Sequence, residues 1–184
     1  MLFTSLAGVH QAVNLACAAM AIHILIKRDK RITGDALREG FARTIWPGRF
    51  EICEMSDRIF IFDGAHNAGG AEAFGLTYLE LYEDRPKTIV FSVLQDKDVS
   101  SIITSIVGAH DTVVTVPAPT PRASDPLELA HKIPCTAYSE TSVTAGMKRA
   151  MELSEPGAII AVCGSLYILG EARRWLVKHS NTIS

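Results

Sequence analysis

Short runs of β-branched and aromatic residues alternate with helical patterns along most of this chain, and that alternation limits the folds it can adopt. The strand-like runs lie at 58–63, 88–93, 112–116 and 158–163, with a weaker run at 134–138. Helical patterns fill the gaps at 70–82, 98–108, 125–132, 142–153 and 166–178. Such apolar runs suit strands that are covered on both faces. The spacing predicts an α/β fold, with a Rossmann-like, mostly parallel sheet and helices on both faces.

The part of the chain before this alternation has a different texture. An alternating run at 49–55 is joined to the run at 58–63 by Ser56 and Asp57, which predicts an opening hairpin with one antiparallel strand. Upstream, residues 10–27 predict a helix. We expect its apolar core to be buried, since 14 mostly apolar residues are too few for a membrane span of about 20. Thr33 is the predicted N-cap of a short second helix.

A domain boundary is predicted near residue 45, where Trp46, Pro47 and Gly48 interrupt the helical pattern. The charge balance changes there as well, because residues 1–49 carry a net charge of +4 and the remainder −6. Residues 1–45 are therefore predicted to form a helical unit and residues 46–184 an α/β domain.

Composition excludes several classes of protein. The net charge of −2, from 18 basic and 20 acidic residues, is unlike the clustered basic excess of nucleic-acid-binding proteins. With 48% apolar residues the chain can bury a core, which excludes disorder as its main state. No basic segment typical of a signal peptide opens the chain, and its four cysteines lack zinc-ligand spacing. We expect a cytoplasmic protein with no membrane or nucleic-acid partner and no metal ligands of its own.

Candidate functional residues follow the predicted strands, because open α/β sheets bind ligands at the carboxyl ends of their strands. The sharpest group is Asp63, His66 and Asn67, which places a carboxylate, an imidazole and an amide at the entry to a helix. Asp63 can accept bonds from a ribose, and His66 and Asn67 can hold a polar or anionic group beside backbone N–H donors. The alternative is a turn in which Asp63 and Asn67 bond only to local backbone groups. Residue types alone leave both interpretations open.

Weaker candidates lie elsewhere in the chain. Ser165 is either the N-cap of the next helix or an anion contact at its N-terminus. Arg122 lies in a proline-rich loop, where it is either solvated or able to clamp a carboxylate with two hydrogen bonds. The charged run at 96–98 fits a solvated helix cap. Asn14 is a polar residue in an apolar helix, which a surface position would explain.

Several common motifs are missing from the sequence. There is no Gly-x-x-x-x-Gly-Lys-Ser/Thr loop, so the chain has no phosphate-cradling loop of the kind found in nucleoside triphosphatases. No Gly-x-Gly-x-x-Gly run follows a strand, and neither a Gly-x-Ser-x-Gly elbow nor a His-Glu-x-x-His zinc motif occurs. The polar groups after the strands therefore remain the candidate chemistry.

Five ordered motifs carry a family resemblance. They are His10, Gln11 and Asn14; Trp-Pro-Gly-Arg-Phe-Glu at 46–51; Asp-Gly-Ala-His-Asn at 63–67; Asp-Lys-Asp at 96–98; and Gly-Ser-Leu-Tyr at 164–167. In this order the series resembles the folylpolyglutamate synthase and dihydrofolate synthase family of the Mur ligase superfamily. It covers essentially the whole chain but only the C-terminal part of that family's architecture. One departure is Ala68, where the family has proline at the helix start.

The resemblance implies a fold, a reaction and a set of site residues. Residues 1–45 correspond to the last helices and connector of an ATPase domain, and residues 46–184 to the Mur-ligase-type C-terminal domain. The reaction is ATP-dependent addition of L-glutamate to folate or dihydropteroate through an acyl phosphate, with Mg²⁺ neutralising the phosphates. The candidate nucleotide-binding residues are Asn14, Arg49 and Asp63. The candidate substrate-binding residues are His66, Asn67, Ser165 and Arg122, with His66 also the candidate catalytic residue.

On this reading ATP and Mg²⁺ are bound mainly by an ATPase domain that the chain requires in cis or in trans. The chain alone is expected to be inactive, and it is expected to be monomeric. Two alternatives stay open: another amino-acid ligase of the Mur superfamily, or an α/β binding module without catalysis, since a fold does not determine a function.

Overall fold

The computed structural model of the chain describes residues 2–29, 31–83 and 85–180, so the outer ends of the predicted domains, at 1 and 181–184, lie outside the described residues. The helices are α1 (Val9–Arg28), α2 (Gly34–Ala42), α3 (Ala68–Tyr82), α4 (Val99–Ile106), α5 (Pro126–Ala130), α6 (Val143–Leu153) and α7 (Leu166–Ser180). The strands are β1 (Glu51–Met55), β2 (Arg58–Phe62), β3 (Lys87–Phe91), β4 (Thr112–Thr115), β5 (Thr136–Ser139) and β6 (Ile159–Cys163).

These six strands form one sheet in the order β1-β2-β6-β3-β4-β5. The opening hairpin pairs β1 with β2 in antiparallel fashion, with Glu51 opposite Phe62. The remaining pairs are parallel, and β6, the last strand along the chain, lies between β2 and β3. The predicted fold class, a mostly parallel sheet with one antiparallel strand, is confirmed.

Helices cover both faces of the sheet. On one face α3, α4 and α5 share a core that includes Phe74, Ile102 and Leu129. On the other face α6 and α7 contribute Met147 and Ile168 to a second core. Every residue of β3 and of β6 is buried, as expected for strands with two covered faces.

Local chemistry at the turns and helix starts agrees with the sequence patterns. The side-chain oxygen of Thr33 accepts a hydrogen bond from the amide of Ala36 at 3.1 Å, which confirms the predicted N-cap of α2. Ser56 and Asp57, the predicted hairpin turn, both have positive φ, at 50° and 56°. Positive φ at both central residues gives the twist that two-residue hairpin turns require.

The predicted burial of α1 is wrong. Gln11 is the only buried residue of this helix, and Val13, Met20 and Ile24 are each more than half exposed. Apolar composition favours burial but does not supply a covering surface, and among the described elements α2 packs against α1 more than any other does. The helix also has 20 residues, and by length and mean hydropathy of 1.6 it qualifies as a candidate membrane span. A single such helix is weak support for a span, because core helices and signal sequences share these properties.

The first turn of α1 is nevertheless anchored to the α/β layers. Gly8, which precedes the helix, has a φ of 98°, and a Cβ there would lie 2.4 Å from the hydroxyl oxygen of Thr77 on α3. Ala7 packs against the core beneath α3. A glycine is therefore needed for this close approach, which brings the start of α1 to the carboxyl edge of the sheet.

Candidate functional site

The candidate site lies where β2, β6 and β3 end. The connection after β6 leads into α7 on one face, whereas those after β2 and β3 lead into α3 and α4 on the other. Neighbouring strands that send their connections to opposite faces leave a crevice at their carboxyl ends, and α/β proteins bind ligands there. The polar loops that follow these three strands border this crevice.

Asp63 is buried at the end of β2, and both of its carboxylate oxygens accept backbone hydrogen bonds. Oδ1 accepts from the amide of Ala65 and Oδ2 from the amide of Phe50, each at 2.7 Å. Burial raises the pKa of Asp63, while these two bonds and the electrostatic influence of Arg49 and His10 act in the opposite direction. The carboxylate thus joins the turn after β2 to the turn before β1. Asp63 therefore does not bond only to local backbone groups, as the alternative interpretation held.

The turn before β1 is held in an unusual conformation. Phe50 has a φ of 44°, which bulky residues rarely adopt, and its ring centroid lies 5.5 Å from that of Phe74. Glu51 braces the turn, because its Oε2 accepts from the amide of Gly48 at 2.8 Å and its Oε1 accepts from Nη2 of Arg173 at 2.7 Å. β1 therefore starts two residues later than predicted. Backbone strain of this kind persists where surrounding contacts enforce it, often at functional sites.

A cavity of about 330 Å³ lies between α1 and this turn. The guanidinium carbon of Arg49 lies 6.0 Å from the ring centroid of Trp46 on its wall. The apolar lining is Leu6, Leu15, Ala18, Phe41 and Trp46, and the polar lining is Thr4, His10, Gln11, Asn14, Thr44 and Arg49. An aromatic ring and a cation with amides nearby suit a planar ring with polar edges, such as a nucleobase. Of the three candidate nucleotide-binding residues, Asn14 and Arg49 line this cavity, and Asp63 lies buried behind the turn.

His66 and Asn67 occupy the turn between β2 and α3. Nδ1 of the half-buried His66 lies 2.8 Å from the carbonyl oxygen of Gly64 and donates to it, which leaves Nε2 as the acceptor nitrogen of the neutral ring. The side-chain oxygen of Asn67 accepts from the amide of Gly70 at 2.8 Å and caps α3. Asn67 therefore has the capping role that the alternative interpretation described, whereas one ring nitrogen of His66 is available for chemistry.

Ser165 directly precedes α7 and is almost completely buried, with 1% of its surface exposed. Its hydroxyl oxygen accepts from the amide of Tyr167 at 3.3 Å, a bond of the capping type. The preceding Gly164 has a φ of 91°, and a Cβ there would lie 2.2 Å from the carbonyl oxygen of Ser92. The loop after β6 thus passes directly against the end of β3, where the buried Ser92 hydroxyl has no partner among the described residues.

Arg122 lies at the outer end of the same edge, in the loop after β4. Its Nη2 donates to Oδ1 of Asp96 at 2.8 Å, and Oδ2 of Asp96 lies 3.2 Å from Nζ of Lys97. The hydrogen bond from Arg122 lowers the pKa of Asp96. Asp98 caps α4 by accepting from the amide of Ser101 at 3.1 Å. In the charged run at 96–98, Asp98 thus caps α4 and Asp96 links its loop to the loop after β4. Arg122 is already bound to the carboxylate of Asp96.

Two residues gained roles that the sequence had not indicated. Gln11 is a buried amide within an exposed apolar helix, and Glu51 pairs with a residue far along the chain. For Gln11, the available sequence signal was a polar residue inside an apolar run. For Glu51, no sequence pattern indicated that Arg173 would be its partner. Among residues 2–29, 31–83 and 85–180, no group of three or more His, Cys, Asp or Glu side chains could hold a metal ion. These described residues therefore do not fit a Mg²⁺ site.

The mostly parallel sheet, with polar loops around the crevice at its carboxyl edge, defines a class of protein. The family described as Mur ligase, glutamate ligase domain, matches residues 48–166, from the turn before β1 to the first residue of α7. The chain therefore belongs to the Mur ligase family, through its glutamate ligase domain.

Within that family the relatives of this chain are folylpolyglutamate and dihydrofolate synthases. The dihydrofolate synthase/folylpolyglutamate synthase of Bacillus subtilis is 30% identical over 94% of this chain and 40% of its own length. The Mycobacterium tuberculosis folylpolyglutamate synthase complexed with ADP is 29% identical, with a TM-score of 0.81 over 95% of this chain and 42% of that one. E. coli FolC in complex with DHPP and ADP is 25% identical, with a TM-score of 0.72 over 80% and 35%. The chain spans 40% of the length of the Bacillus subtilis and Lacticaseibacillus casei relatives and 27% of the Mycobacterium tuberculosis one.

Proposed function

We propose that this chain is the glutamate ligase portion of a folylpolyglutamate or dihydrofolate synthase, which joins L-glutamate to folate or dihydropteroate with ATP. The observation that carries the proposal is that a cavity large enough for a nucleobase is lined by Arg49, in the turn that Asp63 and Gly64 bind through hydrogen bonds at the start of the loop bearing His66. ADP in the Mycobacterium tuberculosis structure, and DHPP with ADP in the E. coli structure, support the same ligand classes here.

The cavity between α1 and the turn before β1 is the proposed base-binding site. Trp46 offers a ring face, Arg49 a cation and Asn14 an amide to the edge of the base. Asp63 was predicted to bind the ribose. Because both of its oxygens already accept backbone bonds, we assign it first to holding Arg49 in place, with its remaining lone pairs available to a ribose hydroxyl.

The reaction that this assignment implies has two steps. The acceptor carboxylate takes the terminal phosphoryl group of ATP, giving an acyl phosphate and ADP. The amino nitrogen of glutamate then attacks the acyl carbon, the new amide forms, phosphate leaves and the nitrogen loses a proton. His66 is the proposed catalytic residue, because its Nε2 can accept a proton while Nδ1 holds the ring on the carbonyl oxygen of Gly64. Ser165, Asn67 and, after release from Asp96, Arg122 are the proposed contacts for the glutamate carboxylates.

The chain requires an ATPase domain for this chemistry. It has no phosphate-cradling loop, and its described residues form no metal site. We propose that residues 1–45 are the last helices and connector of that domain, whose remainder covers the exposed apolar surface of α1. ATP phosphates and Mg²⁺ are then held by the ATPase domain, and closure of the two domains aligns the acyl phosphate with the amine. The isolated chain should be inactive, and we place the enzyme in the cytoplasm as a monomer.

Reconstitution tests the proposal. The chain is assayed alone and with the ATPase part of the Bacillus subtilis relative, fused or supplied in trans, using folate acceptors, glutamate and Mg-ATP. We expect ADP and a glutamylated folate, identified by mass spectrometry, only when both parts are present. His66→Ala should lower turnover by a factor of about 10²–10⁴. His110→Ala, at an exposed position in the turn before β4, is the matched control and should leave turnover unchanged.

Each alternative predicts a different result in the same assay. Turnover by the chain alone would refute its dependence on an ATPase domain. Consumption of a muropeptide acceptor in preference to folate would assign the chain to another amino-acid ligase of the superfamily. If Asp63→Ala and His66→Ala changed neither rate nor ligand affinity, the chain would be a binding module without catalysis.

A further inference from the structure

Helix α7 presents one row of side chains to the two turns that border the crevice. Leu166, Leu169 and Arg173 follow one another at helical spacing, which places them on the same face of the helix. A Cβ on Gly64 would lie 2.3 Å from Cδ2 of Leu166, and a Cβ on Gly48 would lie 2.7 Å from Cδ1 of Leu169. The first two members of the row therefore pack directly on the backbone of the loop after β2 and of the turn before β1.

The third member of the row, Arg173, adds a directional contact to this packing. Its Nε and Nη2 both donate to Oε1 of Glu51, at 3.1 Å and 2.7 Å. Oε2 of the same carboxylate accepts from the amide of Gly48 at 2.8 Å. The Glu51 side chain is only 19% exposed, so the pair is partly shielded from solvent. Leucine contacts have no preferred direction, whereas charge-assisted bonds from a planar guanidinium determine an orientation.

This contact joins the two sides of the candidate site. Hydrogen bonds from the loop after β2 hold the turn before β1 against that strand, but they do not reach α7. The turn carries Arg49, and α7 directly follows Ser165. The spacing between these two candidate binding residues therefore depends on the pair of Glu51 with Arg173.

We propose that Arg173 is a positioning residue for the ligase reaction, which holds the turn bearing Arg49 against α7 and so sets the spacing between the nucleotide and glutamate sides of the site. Arg173 acts through Glu51 and touches no substrate itself. The amine of glutamate must be aligned with the acyl phosphate, and a misplacement of about 1 Å can lower a rate about a hundredfold. This inference rests on the proposed function.

The kinetic test uses the chain reconstituted with the ATPase part of the Bacillus subtilis relative. Arg173→Met removes the charge and keeps a long side chain, and we expect kcat to fall by a factor of about 10–100. The KM for glutamate should stay within about threefold, because the proposed glutamate contacts lie outside the turn. Arg174→Met, at the adjacent exposed position of the same helix, is the matched control and should keep the wild-type kcat.

A double variant tests whether the two residues act as one unit. Glu51→Gln keeps an oxygen for the amide of Gly48 but turns an NH₂ group toward Arg173, so it should lower kcat by a similar factor. Glu51→Gln combined with Arg173→Met should be no slower than either single variant. Multiplication of the two losses would contradict a shared role.

Amide hydrogen exchange in the chain alone gives a readout that does not depend on the reaction. The amide of Gly48 should exchange about tenfold faster in Arg173→Met than in the wild type, and at the wild-type rate in Arg174→Met. Unchanged exchange at Gly48, or a lower melting temperature with the wild-type kcat, would overturn the positioning role. If the wild-type reconstituted enzyme formed no glutamylated folate, the proposed function would be wrong, whereas exchange at Gly48 would still show whether Arg173 holds the turn.

Discussion

The carboxylate of Asp63 joins two turns whose bonded residues are 13 positions apart in the chain. One turn carries Arg49 toward the cavity, and the other carries His66. Because the amide of Phe50 donates to Asp63 from a strained backbone conformation, the position of Arg49 depends on this side chain together with Glu51.

Asp63→Asn should therefore lower stability and loosen the cavity together. The asparagine keeps one acceptor oxygen but turns an NH₂ group toward a backbone N–H, leaving a buried donor unsatisfied. We expect a loss of about 1–3 kcal/mol in the free energy of unfolding, measured by urea denaturation. Asp57→Asn is the control, since Asp57 is exposed in the hairpin turn and Asn tolerates its positive φ. An equal loss in both variants would contradict the role of Asp63.

At the scale of single residues, the sequence identified the residues of the candidate site more reliably than it identified their roles. Asp63 and Asn67 stood out because they follow a predicted strand at the entry to a helix, and the structure shows that Asn67 caps that helix and Asp63 accepts from a distant amide. The pair of Glu51 with Arg173 spans 122 positions, and no local pattern specifies such a partner. Gln11 entered the sequence analysis only as part of a motif, because the hydrogen bonds of its side chain depend on side-chain orientation.

The helices and strands themselves were largely predictable. Periodicity and turn residues placed each element within a few residues of its observed bounds, because β2, β3, β4 and β6 are apolar or β-branched runs between polar turns. The order of strands was not predictable from these patterns, since β6 pairs with strands that lie far before it in the chain. The burial of α1 was mispredicted because it depends on a covering surface rather than on the helix itself.

Close packing between α3 and α4 gives a test at the level of elements. A Cβ on Gly75 would lie 2.3 Å from the carbonyl oxygen of Ser105, so Gly75→Ala should force the helices apart and cost about 1–3 kcal/mol. Gly40→Ala in α2 meets no atom within 4 Å and should stabilise that helix by about 0.5–1 kcal/mol. Thermal unfolding of the two variants measures both effects, and a neutral Gly75→Ala would contradict the packing described for this pair.

At the scale of the whole molecule, the exposed apolar surface of α1 has two interpretations: it packs against a further protein domain, or it binds a membrane. If a domain covers it, acidic residues on its apolar surface should block assembly without harming the α/β layers. We expect Met20→Glu with Ile24→Glu to abolish the turnover restored by the ATPase part and to leave the melting temperature of the chain within about 2 °C. Both positions are more than half exposed.

Val177→Glu, at a similarly exposed apolar position on α7, is the matched control and should assemble normally. Sedimentation with phospholipid vesicles addresses the other interpretation. Recovery of the wild-type chain with the vesicles, lost in the α1 variant, would favour a membrane role for this helix over a protein surface.

The position of β6 has a consequence for how the protein is made. Since β2 and β3 contact each other only through this last strand, the sheet stays divided into a hairpin and a three-stranded piece until residues 159–163 have been synthesised. Pairings between distant segments of a chain form slowly. The crevice that β2, β6 and β3 border therefore forms only after β6 has been translated, and a ribosome that stalls before β6 would release a chain whose β2 and β3 edges are unpaired and open to aggregation.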